Sequence, residues 1–328
     1  MTTPAISIVV CTFNRAAMLR DALASLYSLA TDDSFRYEIV VIDNASTDAT
    51  PLAIAAAAAE SPAPVRGIFE PQKGVVAARN RGIREARGRW IAFFDDDQLA
   101  DPRWLAELWR GAHDNSCRVV GGAVHLVLPM GCTRRLDPTV RMLLGESILS
   151  DQPLPYGGRL TPGCGNLMIE RTVFDEVGLF ETAIDGRGED TDLFVRIERA
   201  GIAAWYFPQA IIHHLTPPER LEPPYLLNLA RKMGRGIGLR QARAMSRGAF
   251  TALWLAKAVR AGLLQWPVLA LSHLRSDREA ALGRACQLAI SRGFLSGGCE
   301  AGRPPPTAGD NPIRTTLSSP VLSGANSK

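Results

Sequence analysis

Along the first third of the chain, short unbroken apolar runs take turns with longer segments whose apolar positions recur at helical spacing. Ile6–Cys11, Glu38–Ile42, Val65–Phe69 and Trp90–Phe94 are rich in β-branched and aromatic residues and short enough to be strands buried on both faces. Between them, Ala17–Ala30, the alanine-rich Pro51–Glu60 behind the cap candidates Ser46 and Thr47, Val75–Ala86, and Pro102–His113 with its proline in the first turn read as helices. Strand and helix in alternation predict an α/β domain built on a doubly wound, mostly parallel sheet. Ligands of such sheets bind outside the carboxyl ends of the strands.

Three polar clusters fall at those ends: CTFNR (Cys11–Arg15) after the first strand, DNASTD (Asp43–Asp48) after the second and DDDQ (Asp95–Gln98) after the fourth. One such turn means little, because Asp and Asn form turns by bonding to their own backbone; three on one edge describe a site. The triplet adds a constraint. Like charges a few ångströms apart repel by about 1 kcal/mol in water and by more in less polar surroundings, so three consecutive carboxylates behind an apolar run need a cation. Adjacent carboxylates at a strand end suit a hard divalent ion, Mn²⁺ or Mg²⁺, which takes one or two carboxylates and completes its sphere with water and substrate phosphate. There is no G-x-x-x-x-G-K-[ST], and neither GCGNLM (Gly163–Met168) nor GRGIGL (Gly234–Leu239) completes G-x-G-x-x-G. Phosphate would be held through the metal.

Composition and charge then divide the chain. Its 328 residues, 46% of them hydrophobic, suffice for about two domains, and the composition is neither disordered nor collagen-like. Residues 1–219 hold 21 Lys and Arg against 28 Asp and Glu; residues 220–328 hold 16 against 5, so a balance of −7 stands beside +11 within the overall +4. The six cysteines (Cys11, Cys117, Cys132, Cys164, Cys286, Cys299) form no C-x-x-C pair and no dense framework, and read as reduced cytosolic thiols. The N-terminal MTTPAISIVVCTFNR lacks a basic segment followed by a long apolar one, and reads as a first strand, not an export signal.

Past residue 220 the chain changes character. Tyr225–Arg247 sets six basic residues, Arg240 among them, between apolar positions such as Leu226, Leu229 and Met233, which predicts a basic amphipathic helix interrupted by Gly234, Gly236 and Gly238. Ala249–Leu274 is mostly apolar, with Trp254 and Trp266, but Lys257, Arg260 and Pro267 keep it from the run of about 18 apolar residues that a membrane span requires. Two readings stand together: a helix lying in the interface of an anionic membrane, and a helical extension packed on the preceding domain. No base-reading module accompanies the basic residues, which argues against nucleic acid. From Gly297 the sequence is rich in Gly, Pro and Ser and predicts a disordered tail.

The segments SIVVCTFNRAAMLRDALASL, IVVIDNASTDAT, GVVAARNRGI, WIAFFDDDQLADPRWL and GEDTDLFVRIERAG, in this order across roughly residues 5–215, resemble the family 2 glycosyltransferases. The resemblance implies the Rossmann-like A-type glycosyltransferase fold with a C-terminal helical extension. The expected organisation is a nucleotide-sugar-binding catalytic domain over 1–219, a basic helical extension over 220–296 and the tail over 297–328. It implies an inverting, metal-dependent transfer of a sugar from a nucleotide-diphosphate donor to a glycan or lipid-linked acceptor, at the cytoplasmic membrane face. Carried over by position, Thr12 and Asp43 line the base and ribose, and Arg79 and Asp96 belong to the donor site. Asp95 and Asp97 are the outer members of the D-x-D motif, with Asp97 the direct ligand of Mn²⁺ or Mg²⁺. Asp190, with Glu189 beside it, stands at the catalytic base. Asn166 matches a donor or acceptor pocket position, and a histidine completing the metal or pyrophosphate site falls at His213 or His214, with His213 named as the ligand.

Each assignment has a structural rival. Asp43 and Asp48 suit capping of the helix that follows. Arg79 stands among Arg81, Arg84 and Arg87, as on a solvated helix face. Glu189, Asp190 and Asp192 favour the N-terminal dipole of the helix Leu193–Ala200 whatever their chemistry. A histidine beside an apolar run is more often packed than ligating, and His113, His125 and His273 read as structural. The transfer nevertheless needs what is present: a cation to offset charge on the departing diphosphate, and a carboxylate to deprotonate the acceptor hydroxyl, worth roughly 10²–10⁴-fold. The alternative function is a non-catalytic nucleotide-sugar-binding or membrane-associated scaffold of the same fold, which has no need of Asp95, Asp97 and Asp190 together. A sugar nucleotidylyltransferase is weaker, since no glycine-rich basic loop follows the first strand. Pro129–Arg159 is expected to shape the acceptor site.

Overall fold

The computed structural model describes residues 3–31, 34–158, 160–182, 188–265 and 278–301. Strands β1 (Ile6–Thr12), β2 (Tyr37–Asp43), β3 (Val65–Phe69) and β4 (Trp90–Asp95) alternate with helices α1 (Ala16–Tyr27), α2 (Thr50–Glu60) and α3 (Val75–Glu85). They lie in the order β3-β2-β1-β4, all parallel. The runs of β1, β2 and β4 are largely apolar because both faces are covered: Ile8, Val10, Ile39, Val41 and Phe94 enter one core layer, while Val9, Val40, Ile42 and Phe93 enter the other; the edge strand β3 is only partly buried, with Phe69 exposed. At the far end of these strands a buried polar knot fixes the entry to β4. Ser7 Oγ donates to Glu38 Oε1 (2.7 Å) and accepts from the Gly88 amide (2.8 Å).

The sheet continues beyond the four predicted strands. After β5 (Gln98–Ala100) and α4 (Trp104–Asp114) come β6 (Val119–Val127), α5 (Pro138–Leu143), β7 (Leu154–Pro155), β8 (Asn166–Glu170), α6 (Arg171–Val177), α7 (Glu189–Arg199) and β9 (Ala204–Leu215). β8 joins β4 antiparallel, β6 joins β8 antiparallel, β9 runs parallel to β6, and β5 and β7 pair antiparallel with β9. A parallel half therefore meets a mixed half at β4. β6 and β9 look interrupted in sequence, by Gly121, Gly122 and Pro208. The structure absorbs the proline in a bulge, where the register shifts between Gly122 and Ala123.

Beyond the 3₁₀ turn Pro218–Leu221 lie α8 (Pro223–Ala244), α9 (Arg247–Arg260) and α10 (Arg278–Ala301). Contrary to the sequence expectation, α8 runs unbroken through its glycines. Two of them are where α10 packs: a Cβ on Gly234 would meet the Ile290 carbonyl oxygen at 2.0 Å, and one on Gly238 the Phe294 carbonyl oxygen at 2.3 Å. Leu226, Leu229 and Ala230 of α8 and Cys286 of α10 share a third core with Leu136, Val140 and Leu143 from the 129–159 segment, and Arg134 Nε donates to Glu279 Oε1 across it (2.8 Å). For α8 and α10 the packed reading of the extension holds. α9 differs: it buries none of its residues, and Leu255 and Val259 are 53% and 57% exposed. Among the described residues no helix is long and apolar enough to cross a membrane. α10 reaches Ala301, past the Gly297 at which the sequence predicts disorder; residues 302–328, and 266–274 of the apolar stretch with Trp266, Pro267 and His273, lie outside the described residues.

The close α8–α10 approach reverses an ordinary preference. Alanine stabilises a helix interior by about 1 kcal/mol over glycine, yet Gly234→Ala should lower the thermal midpoint, because its methyl group meets α10 backbone. A rise in midpoint on calorimetry would mean that the two helices do not approach this closely.

Candidate active site

The carboxyl ends of β1, β2 and β4 meet along one edge, where register sets Thr12 beside Asp43 and Cys11 beside Asp95. Two cavities open there. The first, about 620 Å³, lies over the parallel half and is lined by Thr12, Asn44, Lys73, Asp96, Asp97 and Arg220 among others. The second, about 360 Å³, lies toward the mixed half and is lined by Gln98, Tyr156, Asn166, Asp190, Met233 and Arg240 among others. Asp95 and His214 line both, so the chambers adjoin at this pair. Gly165 makes the junction possible, since a Cβ there would stand 2.6 Å from Asp95 Oδ2.

The cations that answer the acidic triplet are the chain's own. Arg15 Nη1 donates to Asp96 Oδ1 at 2.7 Å and to Asp97 Oδ2 at 3.1 Å, while Arg220 Nη2 donates to Asp97 Oδ2 at 2.9 Å. His214 Nε2 lies 3.4 Å from Asp97 Oδ1 and 3.2 Å from Arg220 Nη1. An unprotonated Nε2 accepts there from Arg220, whereas an Nε2–H, in either the neutral tautomer that carries it or the imidazolium, donates to Asp97. Burial alone would raise Asp97, but His214, then Arg220 and Arg15, outweigh it and hold the carboxyl well below the usual range. Asp96, where burial exceeds the pull of Arg15, is pushed up. Asp95 is also pushed up, by enclosure first, with Arg79 opposing; 41% of its side chain still faces the cleft, so solvent there offsets part of the desolvation.

Arg79 is not on a solvated helix face. It is buried, donating from Nη1 to Glu189 Oε1 at 2.7 Å with Nη2 3.6 Å from Asp95; its neighbour Arg81 pairs instead with Glu85 on the helix surface (2.9 Å). The Arg79–Glu189 pair bridges α3 and the start of α7. Glu189 Oε2 accepts from the Gly188 amide (2.9 Å), whereas Asp190 Oδ1 accepts from the adjacent Thr191 amide (2.7 Å) and the residue lines the second cavity. Gly188, not Asp190, is the N-cap of α7. Arg240 of α8 is half-buried near Asp190, Glu189 and Asp192.

The remaining sequence candidates take varied positions. Thr12 is buried; its hydroxyl is close enough to Asp96 to favour that carboxylate, yet finds no partner at hydrogen-bonding geometry. Asp43 accepts from the Ser46 amide (2.9 Å) in a local turn, and its neighbour Asn44 lines the first cavity instead, fixed by the Gln72 carbonyl and the Gly74 amide. Asp48 accepts from the Thr50 amide and hydroxyl, a structural turn. Asn166 lines the second cavity, but its amide is spent on the scaffold: Oδ1 accepts from Trp104 Nε1 (2.8 Å), and Nδ2 donates to the carbonyls of Ala123 and Ala210. Of the two adjacent histidines it is His214, and not His213, that faces the acidic triplet, because successive strand residues face opposite sides. His213 stacks near His125 at 6.0 Å between ring centres, while His214 faces Asp97. Sequence reasoning did not single out Arg15, Asn44 or Arg220; the signal was three carboxylates needing cations, and CTFNR and HHLTPPER contained two of them.

A metal fits these residues. Asp95 offers an open carboxylate, Asp97 and His214 line the same chamber, and it is the carboxylates that suit a hard divalent ion such as Mn²⁺ or Mg²⁺. No cage of three or more His, Cys, Asp or Glu is preassembled among the described residues.

A doubly wound half-sheet with a polar edge is thus extended by a mixed half that walls a second chamber. Residues 7–178 match the profile of Glycosyl transferase family 2, and the chain belongs to that family. The succinoglycan biosynthesis protein ExoM of Rhizobium meliloti (strain 1021) is 26% identical over 238 residues, covering 71% of this chain and 74% of ExoM. Glycosyltransferase AglE of Haloferax volcanii is 29% identical over 191 residues, 57% of this chain and 60% of AglE. EpsH of Bacillus subtilis (strain 168) is 34% identical over 120 residues, in a match that spans 37% of this chain and only 34% of EpsH. Among solved structures, the mannosyltransferase PcManGT from Pyrobaculum calidifontis, in complex with GDP-Man and Mn²⁺, superposes with a TM-score of 0.62 at 18% identity over 92% of this chain and 89% of that one. That likeness shows the A-type glycosyltransferase fold.

Removing one partner of a buried ion pair strands the other charge, at a cost of about 3–5 kcal/mol. Arg79→Met should therefore destabilise by that amount in urea unfolding, and adding Glu189→Gln should restore most of the loss. Additive losses in the double variant would show that the two side chains do not compensate each other.

Proposed function

We propose that the protein is an inverting, metal-dependent glycosyltransferase moving a sugar from a nucleotide-diphosphate donor to the hydroxyl of a glycan or lipid-linked acceptor. The observation that carries this reading is the meeting of two cavities at Asp95 and His214, with Asp97 in one and Asp190 in the other. A displacement with inversion needs leaving group and attacking oxygen on opposite sides of the sugar carbon, and two adjoining chambers supply those sides. Family membership and the GDP-Man and Mn²⁺ bound by PcManGT support the donor class and the cation.

In the first chamber the nucleotide would lie over the ends of β1 and β2 against Thr12 and Asn44, with Lys73 and Arg15 facing the phosphates. A divalent cation held by Asp95, Asp97 and His214 supplies, when bound, charge that offsets the departing diphosphate. In the second chamber Asp190 takes the proton of the acceptor hydroxyl as its oxygen attacks C1 of the sugar. Arg79 engages Glu189, holding the start of α7 and with it the direction of Asp190, and its other arm reaches toward Asp95. Tyr156 and Met233 give the acceptor chamber apolar faces beside its acids, a mixture suited to a sugar ring.

A panel of nucleotide sugars tested with Mn²⁺ identifies the donor, since a ligand at 100 times its Kd stabilises by about 2.7 kcal/mol. With that donor, Asp190→Asn should bind normally and lose roughly 10²-fold or more in kcat. Near-normal turnover would remove Asp190 from the mechanism.

The exposed Leu255 and Val259 of α9, flanked by Lys257 and Arg260, support docking of this helix on the anionic cytoplasmic face of a membrane. Leu255→Gln with Val259→Gln should weaken binding to vesicles containing phosphatidylglycerol, and added salt should weaken it further. Binding indifferent to both changes would leave α9 without a membrane role.

A further inference from the structure

Asp97 is heavily engaged: Oδ2 receives Arg15 and Arg220 at 3.1 and 2.9 Å, and Oδ1 faces His214 at 3.4 Å. A divalent ion at the Asp95–Asp97 pair draws on the same carboxylate, about 2.0–2.6 Å from an oxygen, and is repelled by a guanidinium held at contact distance from it. The two arginines are anchored unequally. Arg15 begins α1, its amide donates to Thr50 Oγ1 (3.2 Å), and its guanidinium keeps Asp96 as a second carboxylate. Arg220 rides on the short turn Pro218–Leu221, lines the first chamber, and engages two members of the metal site itself, Asp97 and His214.

We propose that Arg220 is the resident counter-ion of Asp97: it balances the carboxylate in the ligand-free protein, leaves it when the cation enters, and turns its guanidinium onto the diphosphate that arrives with the cation. This rests on the glycosyl-transfer reading. The exchange keeps each charge answered, because the incoming ion takes over the carboxylate while the released fork gains phosphate oxygens, which it can engage bidentately. Metal alone has to evict Arg220 with no new partner for it, and binds weakly. Metal with a nucleoside diphosphate gives Arg220 a destination, so the two bind cooperatively and each raises the affinity of the other by the same factor.

The test is Mn²⁺ titration of the full chain, followed by electron paramagnetic resonance of the free ion, alone and with UDP or GDP. Arg220→Gln, checked for folding by circular dichroism, should bind Mn²⁺ alone about tenfold more tightly, since a competing charge is gone, and lose about tenfold of the enhancement that the nucleotide gives the wild type. Arg220→Lys keeps the charge but not the fork; Mn²⁺ alone should bind it as it binds the wild type, with a reduced nucleotide enhancement, and this variant carries the test if the glutamine variant does not fold. Mn²⁺ affinity that is unchanged or weaker in Arg220→Gln would overturn the exchange. Tighter Mn²⁺ binding with the nucleotide enhancement intact would overturn the transfer of Arg220 to phosphate. Failure of the wild type to bind either nucleotide with Mn²⁺ would count against the glycosyl-transfer reading instead, while the Mn²⁺-only comparison still decides whether Arg220 competes for Asp97.

Discussion

Three adjacent carboxylates at a buried strand end persist only if their charge is answered, and the cleft is built around that requirement. Like charges repel more strongly as their surroundings become less polar, so an unanswered triplet would give up its charge by taking up protons. The answering guanidiniums come from three places in the chain: Arg15 at the start of α1, Arg79 within α3 and Arg220 on the turn after β9. The triplet therefore clamps the first helix, the third helix and the approach to the C-terminal extension to one point at the end of β4. Folding and site assembly are in this respect one event.

The two halves of the sheet divide the labour. Parallel β1, β2 and β4 bring their carboxyl ends together and leave a broad polar chamber above them, the location topology assigns to ligands in open α/β sheets. The mixed half is locked by Asn166, whose amide ties β8 to α4 through Trp104 and to the bulged β6–β9 pair through two carbonyls. A buried amide with its donors and acceptor satisfied rigidifies what it joins, and here it holds one wall of the second chamber.

Strands β1, β2 and β4 were legible because a strand covered on both faces is apolar along most of its length, and glycine and polar turns bound runs too short for a helix. β6 and β9 were not, since Gly121, Gly122 and Pro208 look like breaks until the bulge accommodates them. The edge of the site was legible from topology, and Asp95, Asp97 and Asp190 all line its chambers. Its cations were not, because Arg15 is 81 positions from Asp96 and Arg220 is 123 from Asp97, separations no local pattern records. The choice between His213 and His214 hung on strand parity, which follows from the pairing of Gln98 with His214 and not from composition. Helix α8 was legible as amphipathic, but its glycines read as interruptions because their partner α10 lies far along the chain.

At the start of α7 two neighbouring acids occupy opposite situations. Both line the second chamber, but Arg79 and the Gly188 amide engage the two oxygens of Glu189, while Asp190 Oδ1 accepts from the adjacent Thr191 amide. A general base needs a carboxylate oxygen free to meet the substrate proton and not neutralised by a bonded guanidinium. Glu189 fails on both counts. A buried Arg–Glu pair is weak as a source of stability, since desolvation consumes most of its Coulombic gain; its value lies in what it positions. Arg79 also leans toward Asp95, so one guanidinium stands between the start of α7, which carries Asp190, and the acid at which the two chambers adjoin.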